Sequence, residues 1–319
     1  MSTKFKLPTE TVILPSKGVL YPEDSPLSKG EIEMKYMTAK EEDILTNTNY
    51  IAQGIVIDKL LESLIVTEGV NFEDILIGDK NAIMIAARIL SYGAEYKITY
   101  SGKEHIIDLS KIDEKPIDLE ILKGSNNKFD FTLPKSGLKV TFKLLTHADE
   151  KSIEKDQEGA KKIDKDSRSE ITTRMRHIIT SVDGSENAGE INDFVSNYLL
   201  ATDARALRDR VTEIQPDVDL VFYPNGAKEG GVDLPIGVNF FWPEQIHEII
   251  FHGKGGYTWD DVYNMPIWLR RFTFGKIRDF YDKKNKAEEA AMKKAQGIQK
   301  AKIHKPDIKP TIRTKAKKS

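Results

Sequence analysis

Apolar and polar residues alternate along several stretches of the chain, which is the pattern of a strand with one buried face. The alternation predicts strands over 10–14 and 31–37, with a turn at 15–18. It recurs further along on both sides of short turns that contain Gly, Pro, Ser or Asn, so we expect β-hairpins there. The three predicted hairpins span residues 96–109, 129–144 and 218–234.

Between these strands, apolar residues recur every three or four positions, which predicts amphipathic helices. A further helix is expected after Thr38, because Glu41 stands three residues later and completes a capping box. Helices followed by a hairpin therefore occur twice, at 38–109 and 171–236, although the two copies share too few identical residues to establish a repeat. Helical spacing runs through residues 51–66, 79–93, 171–182, 191–199 and 203–214.

The order of these elements predicts an α+β protein of two helical units, each followed by β-hairpins. We expect an N-terminal α+β domain at 1–145 and a C-terminal helical domain with a hairpin at 169–282. A charged linker or exposed helix at 146–168 joins them. The C-terminal domain ends in aromatic-rich helices, and all three tryptophans of the chain lie there.

Charge is distributed unevenly along the chain. The 319 residues include 48 Lys and Arg against 50 Asp and Glu, a net charge of -2. Residues 283–319 hold 13 basic and three acidic residues, which leaves 35 basic against 47 acidic residues in 1–282. This composition predicts a disordered basic tail. The tail is either a solvated terminus or a tether for nucleic acid or for an acidic partner.

No residue pattern for catalysis or cofactor binding occurs in the sequence. The absence of cysteine excludes disulfides, thiol nucleophiles and thiolate metal sites. The six histidines include no pair three or four residues apart, so no metal site is predicted. The Gly-rich segments at 228–231 and 253–256 lack the Lys-Ser or Lys-Thr pair of a phosphate-binding loop. We therefore predict a protein that is not an enzyme and has no cofactor.

The sequence also shows no pattern of a signal peptide or of a membrane-spanning segment. The first 15 residues contain no uninterrupted apolar stretch, and nowhere do about 18 apolar residues run together. These features predict a protein of the cytosol that does not bind a membrane.

The segment MPIWLRRFTF at 265–274 is the strongest candidate for binding a partner, because Trp, Tyr and Arg dominate protein-protein hot spots. A helix that begins at Pro266 places two arginines and one phenylalanine on one side, and Trp268 and Phe272 on a neighbouring face. We expect Trp268 and Phe272 to be buried. An amphipathic core helix with solvated arginines is one alternative, and stacking of nucleic-acid bases is another. The predicted partner-binding residues are Trp259, Tyr263, Arg270, Arg271 and Phe274.

Several sequence blocks, taken together and in order, resemble a known family. They are LPSKGVLYPEDSPLSKGEIEMKYMTAKEEDILTN at 14–47, DKLLESLI at 58–65, LIGDKNAIMIAARILSYG at 76–93, FTLPKSGLKVTFKLLT at 131–146, ITSVDG at 179–184, DARALRDRV at 203–211, PDVDL at 216–220, LPIGVNFFWP at 234–243 and YTWDDVYNMPIWLRRF at 257–272. They are similar to the baseplate hub assembly proteins of T-even-type contractile-tailed bacteriophages and to their tail-chaperone relatives. The resemblance covers about residues 10–282.

The resemblance implies a non-enzymatic tail assembly chaperone that binds a baseplate hub or tape-measure component. It places the protein in the host cytoplasm during tail assembly, and in the virion baseplate if the chain remains there. A structural subunit of the hub is thus one alternative. A nucleic-acid-binding module that acts through the basic tail is a second. The oligomeric state is left open.

The sequence departs from the family pattern at two hairpin tips. Several members carry Cys-x-x-Cys pairs there, as in a zinc knuckle, whereas this chain has Tyr-Ser-Gly-Lys at 100–103 and Pro-Asn-Gly-Ala at 224–227. The resemblance with this departure implies that the hairpin tips bind no zinc and are held by turn chemistry alone.

Overall fold

The structure is a computed structural model of the 319-residue chain. It divides the chain into two compact units, residues 1–241 and 242–319. The architecture is α+β, as the sequence predicts. The structure describes residues 7–100, 103–163, 169–224, 231–234, 236, 238–241, 249–250, 252–253, 256–258, 261–262, 265, 269, 272–277, 279–281 and 283–284.

Helices and short antiparallel strands alternate through the first unit. The α-helices are α1 (Ala39–Leu45), α2 (Thr48–Ala52), α3 (Val56–Leu64), α4 (Ile77–Tyr92), α5 (His147–Ile163), α6 (Glu170–Ile178), α7 (Ala188–Asp193), α8 (Ala201–Ile214) and α9 (Val238–Phe241). The strands are β1 (Thr9–Ile13), β2 (Glu31–Lys35), β3 (Glu95–Tyr100), β4 (Lys103–Asp108), β5 (Phe129–Thr132), β6 (Lys139–Phe142), β7 (Ile179–Val182), β8 (Val221–Phe222) and β9 (Val232–Asp233).

Two apolar cores lie in the first unit. The first packs strand β2 and hairpin β3–β4 against helices α1, α3 and α4, with residues 234, 240 and 241 closing it. The second packs the sheet β5-β6-β7 against α5, α6 and α8. Both cores draw on residues far apart in sequence, because each small sheet has only one face to bury and needs helices to cover it.

The predicted hairpins are confirmed in the described residues. Strands β3 and β4 pair with Glu95 opposite Asp108, and β5 and β6 pair with Phe129 opposite Phe142. The third hairpin is short, since β8 and β9 have two residues each. The capping box of α1 is confirmed as well: the Glu41 carboxylate accepts hydrogen bonds from the Thr38 N–H and hydroxyl.

Two predicted helices are wrong in extent. Helical spacing at 51–66 becomes two helices, because Gly54 takes a left-handed φ of 73° between α2 and α3. Helical spacing at 171–182 ends at Ile178. The next residues form β7, whose Ile179 lies opposite Phe142. Burial alternates along β7, so that Ile179 and Ser181 are buried and Val182 is half-buried.

The charged segment expected at 146–168 contains helix α5, whose Ile153 is buried in the second core. Strand β6 precedes this helix and β7 follows α6, and the two strands pair. Residues on both sides of the segment therefore share one sheet, and the domain limits expected at 145 and 168 remain a prediction. The tail beyond residue 284 lies outside the described residues. None of the described helices is both long and apolar enough to cross a membrane.

Candidate functional site

The first unit contains buried polar side chains, which are the candidates for a catalytic group. Asp79, in the first turn of α4, is fully buried. Its Oδ1 accepts from the Ser16 N–H at 2.9 Å, and its Oδ2 accepts from the Ser16 hydroxyl at 2.6 Å and the Tyr21 hydroxyl at 2.7 Å. Burial raises the pKa of the Asp79 carboxyl, although these donors act in the opposite direction. The contacts hold the first Leu-Pro turn, defined as residues 14–18, on α4.

Asp203 stands at the same place in α8, as the third helical residue after a leucine N-cap. Its carboxylate accepts from the Lys135 N–H at 2.7 Å and the Ser136 N–H at 3.0 Å. These residues belong to the second Leu-Pro turn, defined as residues 133–137. Burial opposes the charge of Asp203, but the two backbone N–H donors hold the pKa of its carboxyl below the ordinary value.

His147, Asp58 and Lys80 form a closed cluster between α3, α4 and α5. Lys80 Nζ lies 2.8 Å from Asp58 Oδ1 and 3.0 Å from His147 Nδ1, while His147 Nε2 lies 3.2 Å from Asp58 Oδ2. Since an ammonium only donates, Nδ1 accepts and Nε2 carries the hydrogen that faces Asp58. Burial would raise the pKa of Asp58, but the hydrogen bond from His147 and the charge of Lys80 hold it below its ordinary value.

Glu41 completes the set of buried charges. Besides capping α1, its carboxylate accepts from Lys35 Nζ and the Ser63 hydroxyl, each at 2.8 Å. Burial acts to raise the pKa of Glu41, but the donors from Lys35, Thr38 and Ser63 lower it to about 2. The partners of all these groups are protein atoms, and the His147 ring uses both nitrogens. The arrangement joins elements of the fold and offers no ring nitrogen to a substrate.

The described residues of the second unit include two large apolar side chains on the surface that line a groove. Ile249 and Val262 are fully buried, and Tyr257, Phe274 and Ile277 pack against them. Beside this small core is a groove of about 390 Å³. Phe272 and Phe280 line it with 58% and 56% of their surface exposed. The groove is lined by His252, Gly253, Tyr257, Phe272, Thr273, Lys276, Ile277, Phe280 and Tyr281.

Contacts within the unit fix the shape of this groove. The Tyr281 ring lies 4.6 Å from the ring of His252, and Lys276 Nζ lies 5.4 Å above the Phe272 ring. A Cβ at Gly253 would be 2.4 Å from the Ile249 carbonyl oxygen, so this position requires glycine for the chain to pass. Thr258 N–H and hydroxyl donate to Asp261 Oδ2 at 2.9 and 2.6 Å, as in a helix N-cap.

The structure places only part of the predicted binding segment. Phe274 is half-buried and packs against the core of Ile249 and Val262. Phe272, expected to be buried, is exposed instead. The other predicted partner-binding residues, Trp259, Tyr263, Arg270 and Arg271, lie outside the described residues, as does Trp268.

Sequence reasoning missed the exposed stripe of Phe272, Lys276 and Phe280. The signal was present, because positions i, i+4 and i+8 share one helix face. It could not be separated from a core stripe without knowing which face is covered. Within the part of the chain that the structure describes, no three Asp, Glu or His side chains are placed to hold a metal ion. The expected absence of zinc remains a prediction.

Comparison with known proteins gives one finding. The family model described as T4 bacteriophage base plate protein matches residues 12–200. The match includes the first Leu-Pro turn, Asp79 and the His147 cluster, and it ends before Asp203 and before the groove. No curated protein and no solved structure matches the chain.

Proposed function

We propose a role in phage tail assembly for this chain, which belongs to the T4 bacteriophage base plate protein family. In this role the protein is a non-enzymatic assembly chaperone that binds a component of the baseplate hub or the tape-measure protein. Its site of action is the host cell during tail assembly. Family membership supports baseplate components as the partners.

The buried charges support binding rather than catalysis. The hydrogen-bond partners of Asp79, Asp203 and Glu41 belong to their own fold, and His147 is enclosed by Asp58 and Lys80. Perturbed carboxyl groups mark active sites only when they line a cleft that a substrate can enter. Here each perturbed group joins two elements instead, which is a structural use of charge.

The observation that carries the proposal is the pair of exposed phenylalanines at the groove of the second unit. Burial of a large apolar side chain is favourable, so two of them exposed in one groove are typical of a surface that a partner covers. We propose that this groove and the neighbouring binding segment contact the client. The proposed contact residues in and just before that segment are Trp259, Tyr263, Arg270, Arg271 and Phe274.

Co-purification from phage-infected cells tests the proposal. The tagged full chain is expected to recover a hub or tape-measure protein, and the tagged Phe272→Ser/Phe280→Ser chain is expected to lose it. Recovery of the same component by both chains would contradict the groove as the contact. A matched control is Ile106→Ser in the first unit, which removes an apolar side chain with 63% of its surface exposed.

Mass spectrometry of purified virions separates the chaperone from the structural alternative. A chaperone is absent from the particle or present below one copy for each baseplate position. Recovery in fixed stoichiometry with baseplate subunits would make the chain a structural subunit of the hub.

A further inference from the structure

The groove of the second unit has a charge as well as an apolar lining. Among the residues that the structure describes there, Lys276 is the one Lys, Arg, Asp or Glu side chain that lines it. Lys276 is exposed, and its ammonium lies 5.4 Å above the Phe272 ring, which places the charge at the groove. An occupant of this groove would meet apolar rings and one positive charge.

The spacing of the exposed side chains indicates the shape of the occupant. Residues 272–277 and 279–281 are helical, so Phe272, Lys276 and Phe280 follow one another at intervals of one turn. At 1.5 Å per residue, Phe272 and Phe280 are separated by about 12 Å along the axis. This length matches two turns of a partner helix, which inserts apolar side chains at i, i+3 or i+4, and i+7.

We infer that the groove binds an amphipathic helix of a partner protein whose apolar face is bordered by Asp or Glu. The apolar face packs on Phe272, Ile277 and Phe280, and an acidic side chain at its border pairs with Lys276. Charge complementarity selects this occupant, because a basic helix would place like charges together at Lys276. This inference rests on the proposed function and names the chemistry of the client at the same site.

Peptide binding to the purified full chain tests the inference. The probe is a fluorescent 18-residue helical peptide with Leu on one face and Glu on the other, and the control peptide has Lys in place of every Glu. We expect the Glu peptide to bind more tightly by about fivefold or more, as measured by fluorescence anisotropy. Phe272→Ser/Phe280→Ser should weaken binding of the Glu peptide by about tenfold or more. Ile106→Ser should leave it unchanged.

A charge reversal at Lys276 tests whether the groove causes the preference for the Glu peptide. Lys276→Glu should abolish the preference for the Glu peptide, whereas Lys315→Glu, the same change in the basic tail, should preserve it. Thermal unfolding of each variant shows that its fold is intact. The inference is overturned if Lys315→Glu has the larger effect, or if the phenylalanine pair can be replaced without loss of peptide binding.

Two further outcomes also oppose the inference. If a 20-nucleotide single-stranded nucleic acid binds and its binding requires Phe272 and Phe280, the groove is a nucleic-acid-binding site. If the labelled chain self-associates through these residues, the occupant is a second copy. The proposed role in hub assembly is tested separately by co-purification and virion composition, so failure of the peptide test is distinct from failure of that role.

Discussion

The two Leu-Pro turns of the first unit show one sequence pattern held by two different sets of donors. Residues 14–18 read Leu-Pro-Ser-Lys-Gly and residues 133–137 read Leu-Pro-Lys-Ser-Gly. Each begins with a fully buried leucine and ends with a glycine at positive φ. Each is also held by an aspartate in the first turn of a distant helix. In each copy of the helix-then-hairpin order, one helix thus contacts a Leu-Pro turn that lies earlier in the chain.

The two carboxyls differ in their donors and in their surroundings. Asp203 accepts from two backbone N–H groups, which can only donate, and these groups together with the Ser136 side chain lower its pKa. Asp79 accepts mainly from hydroxyls, and Asp217 adds a nearby negative charge, so burial prevails and its pKa is raised. A common position in the helix therefore does not fix a common ionisation behaviour. The balance between burial, hydrogen-bond donors and nearby charge does.

The starts of α4 and α8, which carry the two aspartates, differ most in how tightly they are packed. Gly78 precedes Asp79, and a Cβ there would lie 1.8 Å from the Pro216 carbonyl oxygen. Thr202 precedes Asp203 and is exposed. Gly78→Ala should therefore cost about 3 kcal/mol or more, because backbone must move to admit one methyl group. Thr202→Ala should change the free energy of unfolding by less than about 0.5 kcal/mol. Urea denaturation of both variants measures this contrast, and equal effects would refute it.

The next contrast replaces each aspartate by asparagine. In Asp203→Asn the amide NH₂ must face a backbone N–H that cannot rotate, so we expect a loss of about 2–3 kcal/mol. In Asp79→Asn the hydroxyls of Ser16 and Tyr21 can turn and accept from the NH₂, which limits the loss to about 1 kcal/mol. Thermal unfolding ranks the two variants. A larger loss for Asp79→Asn would show that donor type does not govern these sites.

A smaller effect lies in the pH dependence of the same two variants. The lowered pKa of Asp203 means that its ionised form stabilises the fold above about pH 3.9, and this contribution is lost as pH falls through the folded pKa. The raised pKa of Asp79 has the opposite sign: its contribution is present below about pH 3.9 and is lost as pH rises through the folded pKa. The deficit of Asp203→Asn should shrink toward acid pH, and that of Asp79→Asn should shrink toward neutral pH. Parallel slopes would contradict these assignments.

Local patterns in the sequence predicted much of this fold. Alternation located the paired strands β5 and β6, and Glu41 three residues after Thr38 marked the start of α1. Strand β7 was missed because Ile179 and Val182 are three residues apart, which fits a helical period and not an alternating one, and the strand is set by its pairing with β6.

The long-range contacts could not be predicted in this way. Ser16 and Asp79 are 63 residues apart, and no spacing rule joins a turn to the first turn of a later helix. The predicted binding residues and the groove both lie in the last part of the chain, where aromatic and basic residues concentrate, and partner binding by either stays a prediction. The exposure of Phe272 and the partial burial of Phe274 reverse the roles first expected for them. Helical spacing defines faces, but burial depends on what packs against each face.

Complementation of phage growth tests most directly which of the two units carries the function in tail assembly. Phage unable to make this chain would infect cells that supply it in trans, and completed tails and infectious particles would be counted. Asp79→Asn, which changes a buried group of the first unit at small cost in stability, should restore assembly. Phe272→Ser/Phe280→Ser, with equal thermal stability, should fail to restore it. If the groove variant assembles tails and the stable Asp79→Asn variant does not, then the first unit carries the function and the groove does not.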